Sequence, residues 1–158
     1  MIRDNELIFT ASGGDTPTTT NTCYGSVAWD SGPLASSPYT NAGRDLGGGE
    51  KLVLEIQIVT AGVSAATASQ VNFQLVTASA SALTSATVLA ENIAAAAPTY
   101  TAGSRVRIPF PSNVSAYRQW IGVNCQITLG VLSALTYRAY VVNEVDSYQA
   151  YAPGFEVD

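Results

Sequence analysis

The residues that could do chemistry in this chain are few and poorly placed for it. There is no histidine, one lysine (Lys51) and two cysteines, Cys23 and Cys125, far apart in the sequence. Ser–His and Cys–His nucleophilic pairs are therefore excluded, and zinc has neither the imidazoles nor the clustered thiolates it needs. A carboxylate pair could still hydrolyse a glycoside. Yet Glu55 alternates onto the polar face of a strand and Glu91 sits in an alanine-rich stretch, with no flanking aromatics to shape a sugar cleft. Both read as solvated side chains. Asp15, Asp30, Asp45 and Glu50 fall in one loop-rich region, but their spacing matches no calcium loop. Arg44-Asp45-Leu46-Gly47-Gly48-Gly49-Glu50 is glycine-rich, but it feeds a strand rather than a helix N-terminus, so it reads as a tight turn and not a phosphate cradle. No catalytic, cofactor-binding or metal-binding residue is assigned, and the chain is not expected to be an enzyme.

Charge narrows the partners further. Six arginines and one lysine stand against twelve carboxylates, for a net charge of −5. The nearest approach to a basic cluster is Arg105 and Arg107, alternating along one strand and read as a solvated face, so nucleic acid is not an expected partner. No apolar run approaches the roughly 20 residues of a membrane-spanning helix, so no membrane partner is expected. The start, MIRDNELIF, has only three consecutive apolar residues, too few for a signal-peptide core. The expectation is a protein made in the cytoplasm of a cell. Cys125 falls in register with Ile121, Val123 and Ile127 and reads as a small buried hydrophobe. Two distant cysteines are not a disulfide framework; a disulfide stays open, with thiols favoured.

The elements that must position any binding surface are strands. Lys51–Thr60 alternates strictly, with Leu52, Leu54, Ile56 and Ile58 facing one way and Val53, Glu55, Gln57 and Val59 the other. Gln70–Thr77 repeats the pattern through Val71, Phe73 and Leu75. Ser104–Phe110 turns Val106, Ile108 and Phe110 inward, and its Pro109 belongs at an edge or a strand end. Tyr117–Leu129 is long and apolar, with Gly122 a candidate bulge, and Thr136–Val145 forms the last main strand. Glu6–Thr10, Thr22–Val27 and, in preference to helix, Ala86–Ile93 add shorter strands. The links at Ala61–Ser69 and around Pro98 and Gly103 are small or turn-forming. The sum is an all-β chain, an antiparallel jelly-roll sandwich of about eight strands. It forms a single domain over residues 1–158, with a long loop over about 11–43 and a C-terminal arm over about 146–158. Phe73, Phe110 and Tyr117 read as core aromatics. Trp29, Leu34, Tyr39, Tyr148, Tyr151 and Phe155 lie in the loop and the arm, where apolar anchors mark interfaces or fold back as a cover.

Taken in order, several pieces resemble the jelly-roll cement, or decoration, proteins of tailed bacteriophages, the type found in a Bordetella phage. They are Asp4-Asn5-Glu6-Leu7-Ile8-Phe9 and Arg44-Asp45-Leu46-Gly47-Gly48-Gly49-Glu50, then Thr101-Ala102-Gly103-Ser104-Arg105 with Ile108-Pro109 and Pro111. Trp120-Ile121-Gly122-Val123-Asn124 and Tyr151-Ala152-Pro153-Gly154-Phe155 complete the set. The resemblance implies a homotrimer on the outer capsid surface of the virion, bound where major capsid protein subunits meet. Residues 25–43 form a longer loop than that family leads one to expect. The competing reading is a carbohydrate-binding jelly-roll module, which needs coplanar aromatics on one sheet face.

Overall fold

The computed structural model describes residues 8–17, 21–30, 52–64, 69–111 and 118–143. Among them are nine strands, one short 3-10 turn at Ala97–Thr99 and no α-helix. In chain order the strands are β1 (Asn21–Tyr24), β2 (Trp29–Asp30), β3 (Leu52–Ser64), β4 (Gln70–Ala78), β5 (Thr87–Glu91), β6 (Ala95–Ala96), β7 (Arg105–Pro109), β8 (Trp120–Thr128) and β9 (Leu132–Asn143). All pairings are antiparallel. The larger sheet runs β1-β8-β4-β5, with β2 also on β8 and β6 on β4; the smaller runs β7-β3-β9. The all-β antiparallel sandwich expected from the alternation is the architecture observed.

Alternation explains how the two sheets close on each other. Leu54, Ile56 and Ile58 of β3 and Ile108 of β7 face Val71, Phe73 and Leu75 of β4 and Ile121, Val123, Cys125 and Ile127 of β8 across one core. Leu52, Val106 and Phe110, placed inside by the sequence pattern, are only half-buried at its rim. Tyr137 and Tyr100 were not foreseen there. Both pack edge-on against Phe73, with ring centroids 5.1 and 5.4 Å away. The Tyr100 hydroxyl donates to the Val71 carbonyl at 3.0 Å, so the ring is buried with its polar end satisfied.

Three local expectations need correction. β3 does not stop at Thr60 but runs on to Ser64, through register shifts against β9 after Ile58. Gly62 belongs to this extension because a Cβ there would collide with the Ala97 carbonyl, and its N–H donates to Tyr100. Gly122 marks no bulge: the β4–β8 ladder runs unbroken from Gln70↔Thr128 to Ala78↔Trp120. Its missing side chain makes room for Leu83, which folds over the outer face of the larger sheet. There Leu83 joins Val76 and Ala78 in a second, smaller apolar cluster flanked by Ala28, Ala86 and Trp120. Leu83 takes a left-handed φ of 56°, uncommon for leucine, and its near-complete burial offsets that strain. Ile93, inside the expected strand at 86–93, instead lies beyond the end of β5 and is exposed.

One side of the sandwich is closed by residues 8–15. Phe9 donates its N–H to Ala139 of β9 and accepts from the N–H of Val27, tying the smaller sheet to the margin of the larger. The Asp15 backbone exchanges hydrogen bonds with Tyr137, while its carboxylate accepts from the N–H and hydroxyl of Ser26 at 2.7 and 2.6 Å.

Ile56 has no exposure and lies mid-strand in the main core. Ile56→Ala should therefore lower unfolding free energy by about 2–5 kcal/mol in chemical denaturation, whereas Ile93→Ala, at an exposed site, should change it by less than about 0.5 kcal/mol.

Candidate interaction surface

The outer faces of the two sheets differ in chemistry. On the smaller sheet the register sets Arg107 of β7, Glu55 of β3 and Tyr140 of β9 in one row across three strands. The Glu55 carboxylate takes a hydrogen bond from the Tyr140 hydroxyl at 2.7 Å and from Arg105 Nη1 at 2.9 Å on Oε1. On Oε2 it receives Arg107 Nε and Nη2, both at 2.9 Å. Glu55 is thus wholly buried on an outward face, whereas the two arginine side chains are 42% and 63% exposed. Burial by itself would push the carboxyl up. The Tyr140 hydroxyl, the Arg107 hydrogen bond and the charges of both arginines outweigh it and hold the group below its ordinary value.

Glu55 is therefore not the solvated residue that its place on the polar register suggested, and Arg105 and Arg107 are not simply a solvated face. A carboxylate in the middle of the central strand of a sheet needs donors from both neighbours. The arginine pair spaced two apart on β7 and the tyrosine on β9 supply them. Arg138, opposite Gln57, shares this face, and its Nε is buried without an acceptor. Three of the six arginines therefore share a face with one buried carboxylate, which two of them contact, a locally cationic surface on a chain of net charge −5.

The outer side of the larger sheet carries neutral amides instead, with Gln74 and Asn124 buried. Asn124 Nδ2 donates to Gln74 Oε1 at 2.6 Å, and Gln74 Nε2 donates to Gln126 Oε1 at 3.1 Å and to Glu91 Oε2 at 2.7 Å. Asn72 Nδ2 also donates to that Glu91 oxygen, at 2.8 Å. The bonds from Gln74 and Asn72 hold the Glu91 carboxyl below its ordinary value. Glu91 is exposed, as expected, but it is tied into this ladder. Among the described residues Tyr24 is the one exposed aromatic, so no row of exposed coplanar aromatics is seen among them.

Of the expected interface residues, Trp29 is described. It pairs with Ile121 through β2 and packs half-buried against the main core, so its truncation would remove core packing. Leu34, Tyr39, Tyr148, Tyr151 and Phe155 lie outside the described residues, as do the Arg44–Glu50 segment and Tyr117. Of the loop carboxylates, Asp15 is held by Ser26 and Asp30 accepts from Gln119 Nε2 at 3.4 Å; Asp45 and Glu50 lie outside the described residues. Among the described residues no three His, Cys, Asp or Glu side chains gather as a metal site.

The family model of Bbp16, a Bordetella phage protein family, matches residues 18–141. That span takes in every described strand except the last two residues of β9. No curated protein matches the sequence.

The Glu55 cluster makes stability acid-sensitive in a definite direction. A carboxyl held below its ordinary 4.5 stabilises the fold fully above that pH, and the contribution is lost as pH falls through the lower folded value. Glu55→Gln should cost about 1–3 kcal/mol at neutral pH, and melting curves of variant and parent should converge as pH drops below 4. Parallel curves down to pH 3 would mean that the cluster carries no linkage.

Proposed function

Because the chain belongs to the Bbp16 family of phage proteins, we propose that it is a virion structural protein: a cement protein bound to the outside of the phage head. The single observation that carries this reading is the extent of the family match, which spans the sandwich rather than one motif. The jelly-roll connectivity and homotrimer that the resemblance implies belong to the same proposal. The physical character of the molecule supports it. A cement protein needs a rigid body and adhesive surfaces, and its chemistry is complementarity. The two-sheet core supplies the rigidity. The arginine-bearing outer face of β7-β3-β9 offers charge complementarity to an acidic surface of the major capsid protein. Leu34, Tyr39, Tyr148, Tyr151 and Phe155 are the apolar anchors of the contact, with Trp29 contributing only the part of its surface that the core leaves open. Three such weak contacts linked in a trimer act as one strong one.

The test is re-addition to phage heads stripped of cement protein, followed by sedimentation. The full chain should co-sediment saturably. A chain ending at Val145, lacking three aromatics, should be retained at least about tenfold less well, because an interface aromatic commonly contributes 2 kcal/mol or more. Failure of the full chain to bind any head would remove the cement reading, and equal retention of the shortened chain would move the grip onto the sheet faces. Light scattering should give three times the chain mass; a stable monomer at micromolar concentration would overturn the trimer.

A further inference from the structure

The chain's two cysteines, distant in sequence, are direct cross-strand partners: Cys23 of β1 stands opposite Cys125 of β8. Both side chains turn inward, since Cys125 lies in the main core and Cys23 packs against it. Two residues along, the Gly25 N–H donates to the Val123 carbonyl at 2.7 Å, which fixes the phase of this ladder. The cysteines therefore occupy a hydrogen-bonded pair, where Cα atoms stand about 5.5 Å apart. Disulfides close across Cα separations of about 4.4–6.8 Å, but the Cβ atoms of a hydrogen-bonded pair stand about 5.5 Å apart and must come together by roughly 1–2 Å. β1 is four residues long and lies at the margin of its sheet, so it can make that approach. Both sulfurs are thiols in the structure. From this register we infer that Cys23 and Cys125 form an oxidation site, at which a disulfide staples β1 to β8.

The two thiols are unequal, and that sets the order of events. Cys23 is half-buried and lines a cleft of about 230 Å³ together with Asp15, Thr16, Ser26 and Tyr137. A small disulfide such as oxidised glutathione reaches this sulfur first. Cys125 has no exposure, and burial, with the neighbouring Cys23 adding to it, pushes its thiol far above the ordinary range. In the first step the Cys23 thiolate attacks the reagent disulfide, whose S–S bond breaks, and one half leaves as a thiolate that takes up a proton. In the second step Cys125 gives up its proton and its sulfur attacks the Cys23 sulfur, displacing the other half as a thiol. Two protein thiols are oxidised by two electrons, and one reagent disulfide becomes two thiols. The second step is the slow one, because the attacking sulfur must lose its proton inside the core.

The link would close a loop of on the order of 100 residues, the size for which constraint of the unfolded chain is large. Glutathione-rich cytoplasm would keep the pair reduced and oxidising surroundings would close it. A protein carried out of the cell would thus tighten after release, a consequence that rests on the virion reading, whereas the chemistry does not.

The experiment uses the purified full chain incubated with oxidised glutathione, then read by intact mass, peptide mapping after alkylation in denaturant, and thermal melting. The expected product is lighter by two hydrogens, carries no alkylatable thiol and yields a Cys23–Cys125 linked peptide. Its Tm should rise by roughly 5–15 °C and return on reduction. Cys23→Ser, a change at a half-buried margin, should keep one alkylatable thiol and show no redox-dependent Tm. Two thiols that remain alkylatable, glutathione that stays on Cys23, or a link between two chains would each overturn the pairing. An intramolecular link without a rise in Tm would overturn its role as a staple.

Discussion

The apolar row Leu54, Ile56 and Ile58 on β3 must be covered by the row Val71, Phe73 and Leu75 on β4, and neither sheet can be stable alone. Half-buried sheets hold together only when their apolar faces leave water together. Phe73 shows how tightly the requirement is met, with Tyr137 from the smaller sheet and Tyr100 from the β6–β7 link both edge-on to its ring. The remaining features serve that closure. Phe9 ties the sheets at one side, Asp15 and Ser26 lock the tie, and the Gly62 extension brings β3 against Ala97 and Tyr100.

A body closed in this way leaves two outer faces free to differ. On one, the central carboxylate is neutralised by arginines whose outer parts stay in water; on the other, amides of β8 and β4 bond one another and the Glu91 carboxylate of β5. Each arrangement pairs most of its polar groups within a sheet, with Arg138 Nε on one face and the Asn72 and Asn124 Oδ1 atoms on the other left without a partner. The arginine face is the more distinctive, because its charge is opposite in sign to that of the whole chain. The proposed binding role rests on a family match spanning the sandwich, and this contrast is compatible with it.

Much of the fold was legible in the sequence because the apolar alternation on β3, β4 and β8 is strong on the face turned to the core, although parts of the outer faces are buried as well. The core positions from Leu54 to Val123 follow from that period alone. What the pattern hid has specific causes. Leu83 gave no sign of packing, because its role depends on a glycine 39 positions later and on a backbone angle no local rule suggests. Tyr137 was hidden because tyrosine suits a rim as well as a core. Glu55 was misplaced because strand parity reports the face a residue turns to, not whether neighbours cover it. The proposed interface residues were chosen as apolar anchors in polar segments, and Trp29 shows the limit of that signal, since the same composition marks an aromatic that folds inward.

The most direct measurement of the central claim is a cryo-EM reconstruction of the phage head that carries this protein. The account predicts a two-sheet sandwich, β7-β3-β9 over β1-β8-β4-β5, resolved on the outer surface of the shell at positions where major capsid protein subunits meet. A complete, stable head with no such density outside the shell, or the sandwich found in the tail or on the inner surface, would contradict it.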